Sequence, residues 1–137
     1  MKVAKQYYRS ISFGIALLLG ASTTVNAQVS STDKVYRGGT CTGERFTAGT
    51  GVKTGADGKL SGVSVNVAPA SLALASATVG INNGKVGVST VSAITAAGGI
   101  LVADKSVNPY HYLLSGITAA SAEKLFASTL VKNPNAC

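Results

Sequence analysis

The segment LALASATVGINNGKVGVSTV, Leu72 to Val91, decides how the chain is read. Its Asn83-Gly84 pair is the strongest hairpin signal present, because a type I′ turn asks for positive φ at both central residues. A two-residue turn there predicts Asn82 opposite Lys85, Ile81 opposite Val86, Gly80 opposite Gly87, Val79 opposite Val88 and Ala77 opposite Thr90. Side chains alternate along a strand, so Ile81, Val86, Val79 and Val88 share one face and the glycines take the other. Turn chemistry and apolar pattern choose the same register. The expectation is a central β-hairpin.

Upstream, Asp57-Gly58 repeats the turn signal and sets Ala56 opposite Lys59, Val52 opposite Val63, Thr50 opposite Val65 and Ala48 opposite Val67. Val63, Val65 and Val67 alternate with Gly62, Ser64 and Asn66, the pattern of a half-buried strand, and Pro69 ends it. Val35-Tyr36 reads as a short edge strand and Thr40 to Ala48 as a strand bent at Gly43. Downstream, Ser92 to Gly99 reads as a loop closing on a Gly98-Gly99 turn, and Ile100 to Ala103 as a fully buried strand. After the Asn108-Pro109 turn, Tyr110 to Leu114 alternates, with Tyr110, Tyr112 and Leu114 on one side and His111 and Leu113 on the other. Thr118 is a good N-cap for a helix over about 119–130, in which Ala122, Leu125, Phe126 and Leu130 form one apolar stripe. The fold expected is mainly β: a small antiparallel β-sandwich or partly closed barrel with one C-terminal α-helix packed on it.

Lys2, Lys5 and Arg9 precede the apolar run Ile11 to Leu19, and small residues follow up to Val25-Asn26-Ala27. This is the layout of a cleaved export signal, residues 1–27, with a flexible leader at 28–34 and a single domain at 35–137. The apolar run falls short of the ~20 residues that span a bilayer, so no stable transmembrane segment is expected after cleavage. The whole chain has a formal charge of +7; beyond Ala27, nine basic and five acidic residues leave +4, too mild and too evenly spread for nucleic acid. The expected location is the periplasm or the extracellular space. There the two cysteines, Cys41 and Cys137, read as a disulfide. In the chain-entropy description, closing so long a loop is worth ~4–5 kcal/mol.

Chemistry-bearing residues are sparse. His111 is the only histidine, and the carboxylates are Asp33, Glu44, Asp57, Asp104 and Glu123. Asp57 suits its turn and Glu123 the first turn of the helix, leaving Glu44, Asp104 and His111 as the set from which a small secreted hydrolase or toxin would draw. Gly49 to Gly55 lacks the Gly-Lys-Ser/Thr ending of a phosphate loop, no Gly-x-Ser-x-Gly elbow occurs, and one His with two cysteines makes no usual zinc site. No catalytic, metal or cofactor site is therefore assigned. Arg37-Gly38-Gly39 and Arg45 form a small basic region beside Cys41, suited to an anionic polymer. Tyr110, His111 and Tyr112 are the candidate contact for a partner, as an inhibitor or immunity-type protein would offer to an exported enzyme.

The export signal, paired cysteines and Gly/Ala/Thr/Val-rich strands resemble the chaperone–usher pilins in composition. A pilin, however, closes on a strand with a tyrosine near its end, where this chain has a helix and Asn135-Ala136-Cys137. No family is assigned. The function expected is that of an exported, non-enzymatic binding or assembly module whose partner is another envelope or secreted protein.

Overall fold

A computed structural model describes residues 29–136 of the chain. The expected export signal and its cleavage point lie outside the described residues, as does Cys137. The protein is mainly β, and its centre is a six-stranded antiparallel sheet. The strands are β1 (Lys34–Gly38), β4 (Val63–Ala68), β5 (Lys85–Thr90), β6 (Ile100–Ala103), β7 (His111–Ser115) and β8 (Leu130–Lys132), in the spatial order β6-β7-β4-β1-β5-β8. A second, two-stranded sheet pairs β2 (Lys53–Thr54) with β3 (Leu60–Ser61). The helices are α1 (Gly43–Thr47), α2 (Leu74–Ala77), α3 (Val91–Ala96) and the C-terminal α4 (Ala119–Phe126), which runs through a 3₁₀ turn (Ala127–Thr129) into β8. The large sheet is open, with β6 and β8 as its edges.

Register divides the sheet into two faces. Val35, Val63, Val65, Val67 and Leu114 point one way and are buried beneath α1, α3 and α4. Phe46 of α1 and Phe126 of α4 meet there with ring centroids 5.8 Å apart. The other face carries Tyr36, Ala68, Val86 and Val88, and Leu72, Leu74, Ala77 and Ile81 of the segment after β4 pack on it. Beyond that cover, towards β6, Ile100 and Val102 are exposed among the described residues.

The central hairpin is replaced by a different solution. Leu72 to Asn82 forms no strand, and neither Asn83 nor Gly84 takes the positive φ that a type I′ turn requires. Three interactions outweigh the turn signal. The Leu-Ala-Ser-Ala run of α2 is rich in helix formers, and Thr78 Oγ1 donates to Leu74 O at 2.7 Å. Buried Asn66 donates from Nδ2 to the carbonyls of Ala77 and Val79, both at 2.9 Å. Buried Asn133 does the same for Ile81 at 2.8 Å and Asn83 at 2.9 Å. The carbonyls of Ala77, Val79, Ile81 and Asn83 are thus satisfied by side chains, and β5 is left to pair with β1 and β8.

Other expectations are corrected for similar reasons. β1 is a central strand rather than an edge, since β4 and β5 flank it. Thr40 to Ala48 holds the helix α1 instead of a strand, because Thr42 caps it by accepting from Arg45 N at 3.4 Å. Ser92 to Gly99 contains α3, capped by Thr90. Ile100 and Val102 are 59% and 56% exposed, because β6 is an edge strand whose outer face no described residue covers. The Asp57-Gly58 hairpin forms one residue out of the expected register, with Thr54 opposite Leu60. Its loop has positive φ only at Gly58 (+81°), the arrangement of a three-residue turn ending in a left-handed glycine. The pair is short, and Val63 to Ala68 pairs instead with β1 and β7. The supposedly loose leader is held as well, with Asp33 O accepting from Val91 N at 2.9 Å and Ser31 O from Ser92 N at 3.1 Å.

Candidate active site

Three neighbouring strands deliver three side chains to one point. In the β4–β7 pairing Asn66 lies opposite His111 and Ser64 opposite Leu113, so Ser64 and His111 are diagonal neighbours on one face. In the β6–β7 pairing Ala103 lies opposite Tyr112, and the ladder runs one step further, Asp104 N donating to His111 O at 2.9 Å. Asp104 therefore faces His111 from the other side. Ser64 Oγ lies 2.8 Å from His111 Nε2, and His111 Nδ1 lies 3.3 Å from Asp104 Oδ2 and 3.1 Å from Asp104 O. Both atoms of Asp104 are acceptors, so Nδ1 carries the proton and Nε2 is left to accept the Ser64 hydroxyl. This is the order nucleophile, base, orienting carboxylate.

The surroundings favour that polarity. Asp104 Oδ1 accepts from Ser106 Oγ at 2.7 Å, and this bond above all, helped by the neighbouring imidazole, lowers the carboxyl pKa from its ordinary value against the opposing effect of desolvation. His111 is 7% exposed, whereas Ser64 is exposed, so the imidazole stands behind a hydroxyl that faces solvent. The loop from Asp104 to Tyr110 is braced by Asn108, whose Oδ1 accepts from Tyr110 N at 2.8 Å. In front lies a concavity of about 330 Å³ lined by Arg37, Ser64, Asn66, Asn82, Asn108 and His111, among others. Arg37 Nη1 donates to Ser64 O at 2.8 Å, and its guanidinium stacks over Phe46 at 5.6 Å from the ring centroid. Burial lowers the pKa of Arg37 from the ordinary arginine value.

Of the residues singled out from sequence, Asp104 and His111 come together. Glu44 does not: it sits exposed in the first turn of α1 and is not part of this lining. Ser64 was missed, since an outward polar residue in a Val-Ser-Val-Asn-Val strand carries no local mark of reactivity. Of the proposed partner contact, Tyr112 is 3% exposed with Lys105 Nζ 4.5 Å from its ring centroid, and Tyr110 packs half-buried on the Tyr36 cluster. Little of that corner is left for a partner to touch, and His111 is turned to Ser64.

Cys41 is buried on the helix-covered face, with Sγ directed at Arg37 O (3.4 Å) and packed under Gly87. Burial raises its thiol pKa, with the Gly87 backbone and Arg37 acting the other way. The tail runs on the opposite face, where Asn135 Nδ2 donates to Ala75 O at 2.8 Å and Thr78 Oγ1 at 2.9 Å. Among the described residues Cys41 is a free thiol, and its partner in the expected disulfide, Cys137, lies outside them.

A larger apolar groove of about 860 Å³ lies between Tyr36, Leu72, Leu74, Val88, Leu125 and Leu130. Among the described residues no cluster of three or more His, Cys, Asp or Glu could hold a metal ion, and no helix is long and apolar enough to cross a membrane. Comparison of the chain with protein-family models, with curated proteins and with solved structures finds no match.

Proposed function

We propose that the protein is a small serine-nucleophile hydrolase acting on esters. One observation carries the reading: the Ser64–His111–Asp104 relay, with its hydroxyl facing a polar pocket. In the first step Ser64 Oγ attacks the ester carbonyl carbon and its proton passes to His111 Nε2. The tetrahedral adduct collapses, the alcohol leaves with the proton from His111, and an acyl-Ser64 remains. Water then attacks the acyl carbon, again deprotonated by His111, which releases the acid and restores Ser64. Asp104 keeps the imidazole in the tautomer that can accept, and stabilises the imidazolium formed in each half of the cycle. The test is hydrolysis of para-nitrophenyl esters. The expected result is turnover with an acyl burst, reduced by about 100-fold or more in Ser64→Ala and His111→Gln. Equal turnover in wild type and Ser64→Ala would contradict it.

A second reading, the exported binding or assembly module, draws support from the apolar groove beside Tyr36. On that reading a partner is recovered from periplasm or culture medium by wild type and Ser64→Ala alike, and no ester is cleaved. Its export and envelope location are proposals of the same standing. They are tested by the mass of the protein recovered outside the cytoplasm, which should begin at Gln28.

A further inference from the structure

Two concavities meet where β1 ends. One is the Ser64 pocket; the other, about 210 Å³, is lined by Arg45, Phe46, Gly49 and Thr50. Both include Arg37, Gly38 and Asn83 in their walls. Gly38 permits this junction, because a Cβ there would stand 2.3 Å from Asn83 Oδ1. The linings of the two hollows contain two arginines and no carboxylate. Glu44, beside Arg45 on α1, is exposed and outside both linings, Glu123 Oε1 accepts from Gly43 N at 2.5 Å, and Asp104 is turned to His111 and Ser106. Positive charge thus accumulates on one side of the nucleophile without an acid in the same walls. Burial already works against the charge of Arg37, a cost that a bound anion would offset.

We propose that the ester cleaved at Ser64 carries an oxyanion group, carboxylate or phosphate, and that this group seats in the Arg45 pocket against Arg45 and Arg37. The inference rests on the hydrolase reading and narrows its substrate class. A guanidinium presents planar, paired donors that match the oxygens of either anion, and such charge-assisted bonds are the strong ones. The basic region noticed in the sequence around Arg37 and Arg45 thereby becomes the selectivity element of the site.

The test compares three substrates with one leaving group: para-nitrophenyl butyrate, para-nitrophenyl hemisuccinate and para-nitrophenyl phosphonoacetate. The expected result is a kcat/KM for at least one anionic ester on the order of 10-fold above the neutral one, carried mainly by KM and shrinking as salt is added. Which anionic ester is preferred tells carboxylate from phosphate. In Arg45→Gln, an exposed position on α1, the anionic preference should fall towards one while the melting temperature is kept. A butyrate cleaved as well as both anionic esters overturns the inference and leaves the hydrolase standing. So does a preference that survives in Arg45→Gln. If wild type cleaves none of the three, the hydrolase reading fails and takes this inference with it.

Discussion

At the scale of the residue, His111 is the point on which the account turns, and Asp104 acts through it. Asp104→Asn removes the carboxylate charge that stabilises the imidazolium formed when His111 takes the Ser64 proton, while the backbone carbonyl of residue 104 still accepts from Nδ1. Turnover should then fall by about 100-fold or more, with partial recovery in Asp104→Glu, and the Nδ1 proton resonance of wild type should shift upfield as its charged acceptor is lost. A purely structural Asp104 would move melting temperature without moving that resonance. The pH dependence follows from the direction of the shift. The folded pKa of Asp104 is lowered, so its contribution to stability is complete above the ordinary aspartate value of about 3.9 and is lost as pH falls through the folded value. The melting-temperature difference between wild type and Asp104→Asn should hold at neutral pH and close in acid. Cys41 behaves oppositely to a reactive thiol: buried and raised in pKa, it should resist iodoacetamide in the native protein and react only on unfolding.

At the scale of the element, the segment 72–83 shows why local signals were only half sufficient. β4, β7 and the start of α4 were legible because each carries its own periodicity: Val63, Val65 and Val67 are buried on one face, and Thr118 caps α4 by accepting from Ser121 N at 3.2 Å. The helix ends at Phe126 rather than near 130, and Leu130 opens β8. The Asn83-Gly84 signal was equally clear and was overruled by Asn66 and Asn133, side chains remote in sequence that satisfy the carbonyls of Ala77, Val79, Ile81 and Asn83. The site was half legible for the same reason. Asp104 and His111 are neighbours across one turn, but Ser64 is 47 residues from His111 and enters only through the β4–β7 register. No spacing rule reaches that far. Asn66→Ala should cost about 1–3 kcal/mol, since it strips buried carbonyls of their donor. It should also speed amide exchange in 74–83 ahead of global unfolding. Unchanged exchange there would mean the segment is held by packing alone. Thr118→Ala, a lost N-cap, should cost about 1 kcal/mol, visible as a melting-point drop of about 4–8 °C.

At the scale of the molecule, the open sheet divides its labour between faces. One side is filled by Phe46, Phe126 and Ile94 and holds the fold together. The other is covered only in part by the α2 segment, and at the border of that cover the strands present Ser64, His111 and Asp104. A site built on strands inherits their rigidity, which suits a relay whose distances must hold through a catalytic cycle. The most direct measurement is covalent: the native protein is treated with a fluorophosphonate, digested, and mapped by mass spectrometry. The account predicts a single phosphonyl adduct on Ser64 that is absent in Ser64→Ala and slowed severely in His111→Gln. No adduct on the folded protein, or one that persists unchanged in Ser64→Ala, would contradict it.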